Sequence, residues 1–337
     1  MKVVYSPLHQ QHDPEREFSR EGLVPYPECA ARAENILAAL RQAQWAEIIS
    51  PGDCSLAPMG AVHDSGYLRF LEQVHPAWVK AGEASPVIVA ATFALRGQGT
   101  CPPEIHNQAG YYGFDTTPIV QGTWPAAREA ARCALRGAEL ILSGEVSAYA
   151  LCRPPGHHAG RDHYGGYCYL NNAALAAAHL SAQGKVAILD IDYHHGNGTQ
   201  DIFYASDQVL FASLHADPAR QYPLFWGYAH ERGESAGEGC NHNFPLPPGV
   251  DDCAYLEVLD QALDLIASFS PRYLVVSAGL DIYGEDPLGD FAISPEGFSR
   301  IGERIASLHL PTLLVQEGGY HLERLGELAV GLLGAFA

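Results

Sequence analysis

The densest chemistry in the chain lies in Ala187-Ile188-Leu189-Asp190-Ile191-Asp192-Tyr193-His194-His195-Gly196-Asn197-Gly198. An apolar run leads into Asp-x-Asp-x-His and then a glycine turn. Period-two geometry sends Asp190, Asp192 and His194 to one side, while His195 points the other way and reads as a core histidine. Carboxylates at the end of a buried strand are costly unless paired or bound to a metal. The same pattern recurs in Val275-Val276-Ser277-Ala278-Gly279-Leu280-Asp281, with Asp286-Pro287 shortly after. A third apolar run, Ala148–Cys152, ends in Arg153-Pro154-Pro155-Gly156-His157-His158, and a fourth ends in Glu317-Gly318-Gly319-Tyr320. One histidine with two aspartates is a hard nitrogen–oxygen donor set that suits a catalytic divalent ion such as Zn²⁺ or Fe²⁺. Such an ion brings the pKa of a bound water down to about 7 and polarises a carbonyl. Tandem histidines accept and donate protons near neutrality. A tyrosine hydroxyl can donate to the oxyanion of a tetrahedral intermediate, a contribution of about 10²–10³ in rate. Together these parts describe metal-assisted amide hydrolysis.

The elements that must position these residues alternate between helix and strand, which predicts an α/β sheet. Val3–Tyr5 reads as a first short strand. Val186–Ile191, Val209–Leu214, Tyr273–Ser277 and Thr312–Val315 are apolar nearly throughout, as in a parallel sheet covered on both faces. Helices are expected over 30–44, with Ala33, Ile36, Leu37 and Leu40 on one face, and over 64–73. Further helices are expected over 123–142 with Thr123 as N-cap, 171–183, 253–269, from Ser294-Pro295-Glu296 onward, and over 323–333. The stretches 80–122 and 217–249 read as long loops, the kind that usually carry function. No linker divides the chain, so 1–337 is expected to be one domain. In open α/β sheets the site lies outside the carboxyl ends of the strands. Four strands would therefore deliver Asp192/His194, Asp281, His157/His158 and Tyr320 to one place.

The 337 residues carry 20 basic against 39 acidic side chains, a formal charge of −19. That balance argues against nucleic acid as a partner and fits cationic small molecules. No apolar run is long enough to span a membrane, and the start lacks the apolar stretch of a secretory signal. The eight cysteines are scattered, with no Cys-x-x-Cys pair, which reads as reduced and cytoplasmic.

In these blocks the sequence resembles the zinc-dependent histone deacetylase family, and most of all its acetylpolyamine amidohydrolase branch. The carrying motifs are Arg153-Pro154-Pro155-Gly156-His157-His158-Ala159, Gly165-Gly166-Tyr167-Cys168-Tyr169-Leu170-Asn171-Asn172, the 190–199 block and Glu317-Gly318-Gly319-Tyr320. The branch is suggested by Gly22-Leu23-Val24-Pro25, by Gly110-Tyr111-Tyr112 and by Ala212-Ser213-Leu214-His215-Ala216-Asp217-Pro218. The resemblance implies an arginase/deacetylase-like fold with an eight-stranded, mostly parallel sheet flanked by helices. It implies one Zn²⁺ per chain, held by Asp192, His194 and Asp281. His158 would be general base and then general acid, His157 an electrostatic partner, and Tyr320 would hold the scissile carbonyl. Asp190 would orient His157 and Asn197 would contact His158. Asp190, Asp192, His194, Ser213 and Leu214 match a K⁺ site, and Phe203, Ser206 and Val209 part of a second. Gly166 and Tyr167 would line the substrate channel with Phe225 opposite, and Glu17 matches an acidic position near its entrance. The 80–122 loop resembles an insertion that builds a homodimer and narrows the mouth. Where the branch can carry acidic residues in that insertion, this chain has His106 and Thr117, with Glu104 and Asp115 nearby.

The leading expectation is thus a zinc-dependent deacetylase of small acetylated, cationic amines. The alternatives are an acetyl-lysine protein or peptide deacetylase, a binuclear-manganese ureohydrolase, or a non-catalytic acyl-amine binder.

Overall fold

The computed structural model describes residues 1–19, 22–95 and 99–337. Its centre is an eight-stranded sheet in which every pairing is parallel. The sheet strands are β1 (Lys2–Val4), β4 (Glu47–Ile49), β5 (Ser147–Ala150), β6 (Val186–Asp190), β7 (Val209–Ala216), β8 (Asn241–Leu246), β9 (Tyr273–Ala278) and β10 (Thr312–Gln316). Their spatial order is β4-β1-β5-β10-β9-β6-β7-β8. A separate antiparallel hairpin pairs β2 (Arg16–Ser19) with β3 (Gly22–Pro25).

The inner strands are buried along their whole length, and this is why they read as unbroken apolar runs. Successive residues feed opposite layers. Ala187 and Leu189 join the core beneath the helices Ala31–Leu40, Asp252–Phe269, Pro295–Ala306 and Leu325–Leu333. Val186 and Ile188 join the core beneath Thr123–Leu142 and Asn172–Ser181. A third cluster packs Ser65–Lys80 against the segment around Ile88, Ala109, Tyr112 and Ile119.

Several boundaries differ from the sequence reading. The helix expected over 64–73 runs from Ser65 to Lys80, with Asp64 as its N-cap. Thr123 does not cap its helix. Gly122 is the N-cap, and the Thr123 Oγ1 instead accepts the Val120 N–H and pairs with His12. The stretch 217–249 is not all loop, because β8 lies inside it as the sheet edge. Its burial alternates and it carries Asn, His and Pro, so it lacks the apolar run that marks the inner strands. The edge strand β4 and the hairpin are too short and too exposed to show periodicity.

Candidate active site

The four strands that end in polar motifs, β5, β10, β9 and β6, are consecutive neighbours at the centre of the sheet. Their following loops therefore meet over a few ångströms, as open α/β sheets require. Donor atoms of Asp192, His194 and Asp281 all lie within 4.8 Å of one another. The His194 Nδ1 is 3.1 Å from the Asp281 Oδ2 and 3.4 Å from the Asp192 Oδ1. Backbone donors orient both carboxylates. The Tyr193 N–H donates to Asp281, while the His194 and Gly318 N–H groups donate to Asp192.

Both aspartates are fully buried. Burial and the charge of Asp192 push the Asp281 carboxyl up to about 7. Burial opposes charge on His194, but hydrogen bonds to Asp192 and Asp281 raise it to about 9. Charge crowded this way in a dry site is the condition a divalent cation relieves. Two glycines leave room for it. A Cβ on Gly318 would collide with the outer oxygens of both aspartates, and one on Gly279 with Asp192. The donor set and the space fit a metal ion.

Asp190 does not join this cluster, although period two puts it on the same side. Its Oδ2 accepts from the His157 Nδ1 at 3.1 Å, and its Oδ1 accepts the Asp192 N–H. Burial opposes charge on His157, yet Asp192 and Asp190 raise it to about 10. Among the described residues, three donors and not four converge at this cluster, a count that suits one ion better than two.

His158 sits with its ring centroid 4.0 Å from that of His157 and 6.2 Å from that of His194. Its Nδ1–H donates to the Asn197 Oδ1 at 2.7 Å, which leaves Nε2 free to accept. Burial, with the charges on His157 and His194, holds its pKa well below the ordinary histidine value. His158 is therefore a neutral acceptor at pH 7. Burial keeps the Tyr320 phenol well above its usual pKa, so it remains a donor. Arg32 lies 4.7 Å over the Tyr320 ring and donates to the carbonyls of Gly319 and Glu317. Asp286 accepts the N–H groups of Tyr320 and His321.

A cavity of about 570 Å³ reaches these groups, lined among others by Glu17, Asp115, His158, Gly166, Tyr167, His194, Tyr222 and Tyr320. It runs from Phe18, 58% exposed, to His158, 4% exposed. Glu17 accepts from the Tyr167 hydroxyl at 3.0 Å, and burial raises its carboxyl to about 7. Phe225 does not line this cavity. It is 75% exposed, and Tyr222, three residues earlier in the same loop, faces the His158 ring instead. Both aromatics sit in a Tyr-Pro-Leu-Phe-Trp stretch, and nothing local in the sequence says which turns inward. Thr117 and Asp115 line the cavity, whereas Glu104 and His106 do not. Of the residues expected to bind K⁺, Asp190 lies opposite Ser213 across the β6–β7 pair, beside Leu214. Phe203, Ser206 and Val209 span the end of the helix Asn197–Phe203 and the start of β7, with the Ser206 N–H donating to the Phe203 carbonyl.

Sequence reading missed Arg32 and Glu28. The signal was an arginine beside the apolar face of its helix, four residues after a glutamate. Among the described residues, two other groups have donor atoms close together. In His157/Cys168/Glu317 the glutamate already accepts the N–H groups of Gly156 and His157, and burial holds the Cys168 thiol protonated. Asp162/His163/Asp201 has both carboxylates at the surface.

The match to the family model "Histone deacetylase domain" covers residues 26–335. This chain belongs to the histone deacetylase family. It is an amidohydrolase of the deacetylase type. The chain is 47% identical to acetylpolyamine amidohydrolase 1 of Pseudomonas aeruginosa, over 100% of this chain and 99% of that one. It is 43% identical to the acetylpolyamine amidohydrolase of Mycoplana ramosa, over 97% and 96%. The crystal structure of the acetylpolyamine aminohydrolase from Burkholderia pseudomallei superposes with a TM-score of 0.95 at 42% identity, covering 100% of this chain and 98% of that one. This deacetylase shares with that structure the α/β fold built on an eight-stranded parallel sheet. All eight of its cysteines are free, and no described helix is long and apolar enough to cross a membrane.

Proposed function

We propose that this deacetylase hydrolyses the acetyl-amide bond of small cationic amines, the acetylpolyamines, using one zinc ion per chain. The observation that carries the reading is one cavity lined by His158, Tyr320 and the candidate ligand His194, with the Glu17 carboxylate among its lining residues. The names of the full-length relatives support the same substrate class.

Asp192, His194 and Asp281 would hold the ion, which when bound supplies Lewis-acid activation of water and carbonyl. The His158 Nε2 takes the proton of the attacking water, with Asn197 holding the opposite ring nitrogen. It then gives that proton to the leaving amine nitrogen. The Tyr320 hydroxyl donates to the carbonyl oxygen as negative charge develops there. His157, tied to Asp190, adds positive charge beside the reacting centre. Tyr167 and Tyr222 flank the alkyl stem, and Glu17 attracts the distal ammonium.

We also propose that 1–337 acts as one catalytic domain, cytoplasmic and homodimeric, with K⁺ beneath the site at Asp190, Asp192, His194, Ser213 and Leu214 and a second near Phe203, Ser206 and Val209. The dimer reading is supported by exposed Phe18, Leu23 and Val79, which share one groove with Trp78.

Purified, zinc-loaded protein should turn over N-acetylputrescine with a kcat/KM at least tenfold above that on an acetyl-lysine peptide. Peptide preference would replace the small-amine reading with protein deacetylation.

A further inference from the structure

The insertion that includes Asp115 reaches the cavity through one side chain with an unusual set of partners. The Asp115 Oδ2 accepts the Gly166 N–H at 2.7 Å and the Tyr222 hydroxyl at 2.9 Å. Its Oδ1 accepts the Thr117 N–H at 2.9 Å. The Thr117 Oγ1 in turn accepts the Tyr167 N–H at 3.2 Å. Gly166, Tyr167 and Tyr222 all line the cavity. Both residues of the Gly166-Tyr167 pair have left-handed backbones, with φ of +54° and +67°. For Tyr167 that conformation is costly and persists only where its surroundings hold it. Here the reciprocal Gly165–Cys168 backbone bonds close the turn, and Asp115 and Thr117 accept the N–H groups of its two central residues. The space is also filled. A Cβ on Gly166 would run into the His158 ring and come within 2.9 Å of the Tyr222 hydroxyl. The Tyr222 ring stands edge-on to His158, centroids 5.0 Å apart at 90°, and Phe114 stacks on its other side.

We propose that Asp115 is a positioning residue that sets the width of the substrate channel by tying two of its lining residues, Gly166 and Tyr222, to a single carboxylate oxygen. Both of its oxygens already accept from protein donors, so it shapes the channel while Glu17 is the carboxylate assigned to the ammonium. Without Asp115 the Gly166 and Tyr222 donors lose their partner, the wall relaxes, and stems thicker than an unbranched chain are admitted. The proposal rests on the deacetylase reading of this cavity.

The test compares zinc-loaded wild type, Asp115→Ala, Asp115→Asn, Tyr222→Phe and the Asp115→Ala/Tyr222→Phe double variant. Two substrates are used, N-acetylputrescine and an N-acetyl amine branched at the carbon next to nitrogen. The ratio of kcat/KM, unbranched over branched, should fall about tenfold in Asp115→Ala and in the same direction in Tyr222→Phe. The double variant should lie within about twofold of Asp115→Ala alone, since the shared bond can be lost only once. Asparagine keeps an acceptor oxygen and should recover most of the ratio. Ratios within twofold of wild type, losses that multiply, or an Asn variant as defective as Ala would each overturn the clamp. If Asp115→Ala does not fold, Tyr222→Phe removes one hydroxyl and decides by its ratio. Wild type inactive on both amines but active on an acetyl-lysine peptide would sink the small-amine reading, and the clamp is then judged by non-additivity of the same variants on the peptide.

Discussion

At the scale of single residues, chemistry depends on which protonation state each side chain is held in. Burial keeps the Tyr320 phenol protonated and His158 neutral, so one donates and the other accepts at the same pH. Tyr320→Phe removes only the donor. It should keep the melting temperature and metal content of the wild type while kcat on an acetylated amine falls about 10²–10³-fold. Turnover close to wild type would take the phenol out of the reaction. Glu17 has the opposite need, since it must be charged to attract a cation. Burial raises its carboxyl to about 7, so it is ionised above that pH and protonated below it. The KM for N-acetylputrescine should therefore rise as pH drops from 8 to 6. A neutral N-acetyl alkylamine should show no such rise, and Glu17→Gln should flatten the profile. Parallel pH profiles for the two substrates would dismiss this role.

At the scale of elements, the site exists because four neighbouring strands end together and their loops can approach closely. Gly318 follows β10 and donates its N–H to Asp192. Its φ is not in the left-handed region, so alanine is acceptable to the backbone and only the collision with the two aspartates is introduced. Gly318→Ala should fold, as judged by circular dichroism, yet hold well under one zinc per chain after loading and dialysis. Full zinc content would show that the carboxylates have more room than the packing implies. The elements that escaped the sequence reading share a cause. The edge strands β4 and β8 and the β2–β3 hairpin are short or have partly exposed faces, so their pattern comes from partners distant in the chain.

At the scale of the whole molecule, a buried ionic knot joins distant segments behind the site. Glu28 accepts from Arg32 at 2.6 Å and from Arg153 at 2.9 Å. Arg153 also holds the carbonyls of His9 and Glu28, while Arg32 holds those of Glu317 and Gly319. The N-terminal segment, the loop after β5 and the loop before Tyr320 are thus fixed to one carboxylate. Glu28→Ala strands two buried guanidinium groups, and breaking a buried pair costs about 3–5 kcal/mol. The denaturation midpoint should fall accordingly, and a loss under about 1 kcal/mol would mean that water or a rearrangement replaces the carboxylate.

Apolar patterning was enough to locate the inner strands, most of the helices that cover them and the polar residues that follow. Full burial on both faces writes an apolar run, and a carboxylate or histidine that breaks such a run announces a site. The sequence also singled out His157, His158, Asp192, His194, Asp281 and Tyr320, because each follows an apolar run, and the fold brings the donor atoms of Asp192, His194 and Asp281 together. Packing in three dimensions was needed to show that Tyr222, and not Phe225, lines the cavity, and that Asp115 accepts from both Gly166 and Tyr222. Those choices lie in loops, where no period constrains direction and the side chain is aimed by partners about 50 or more residues away.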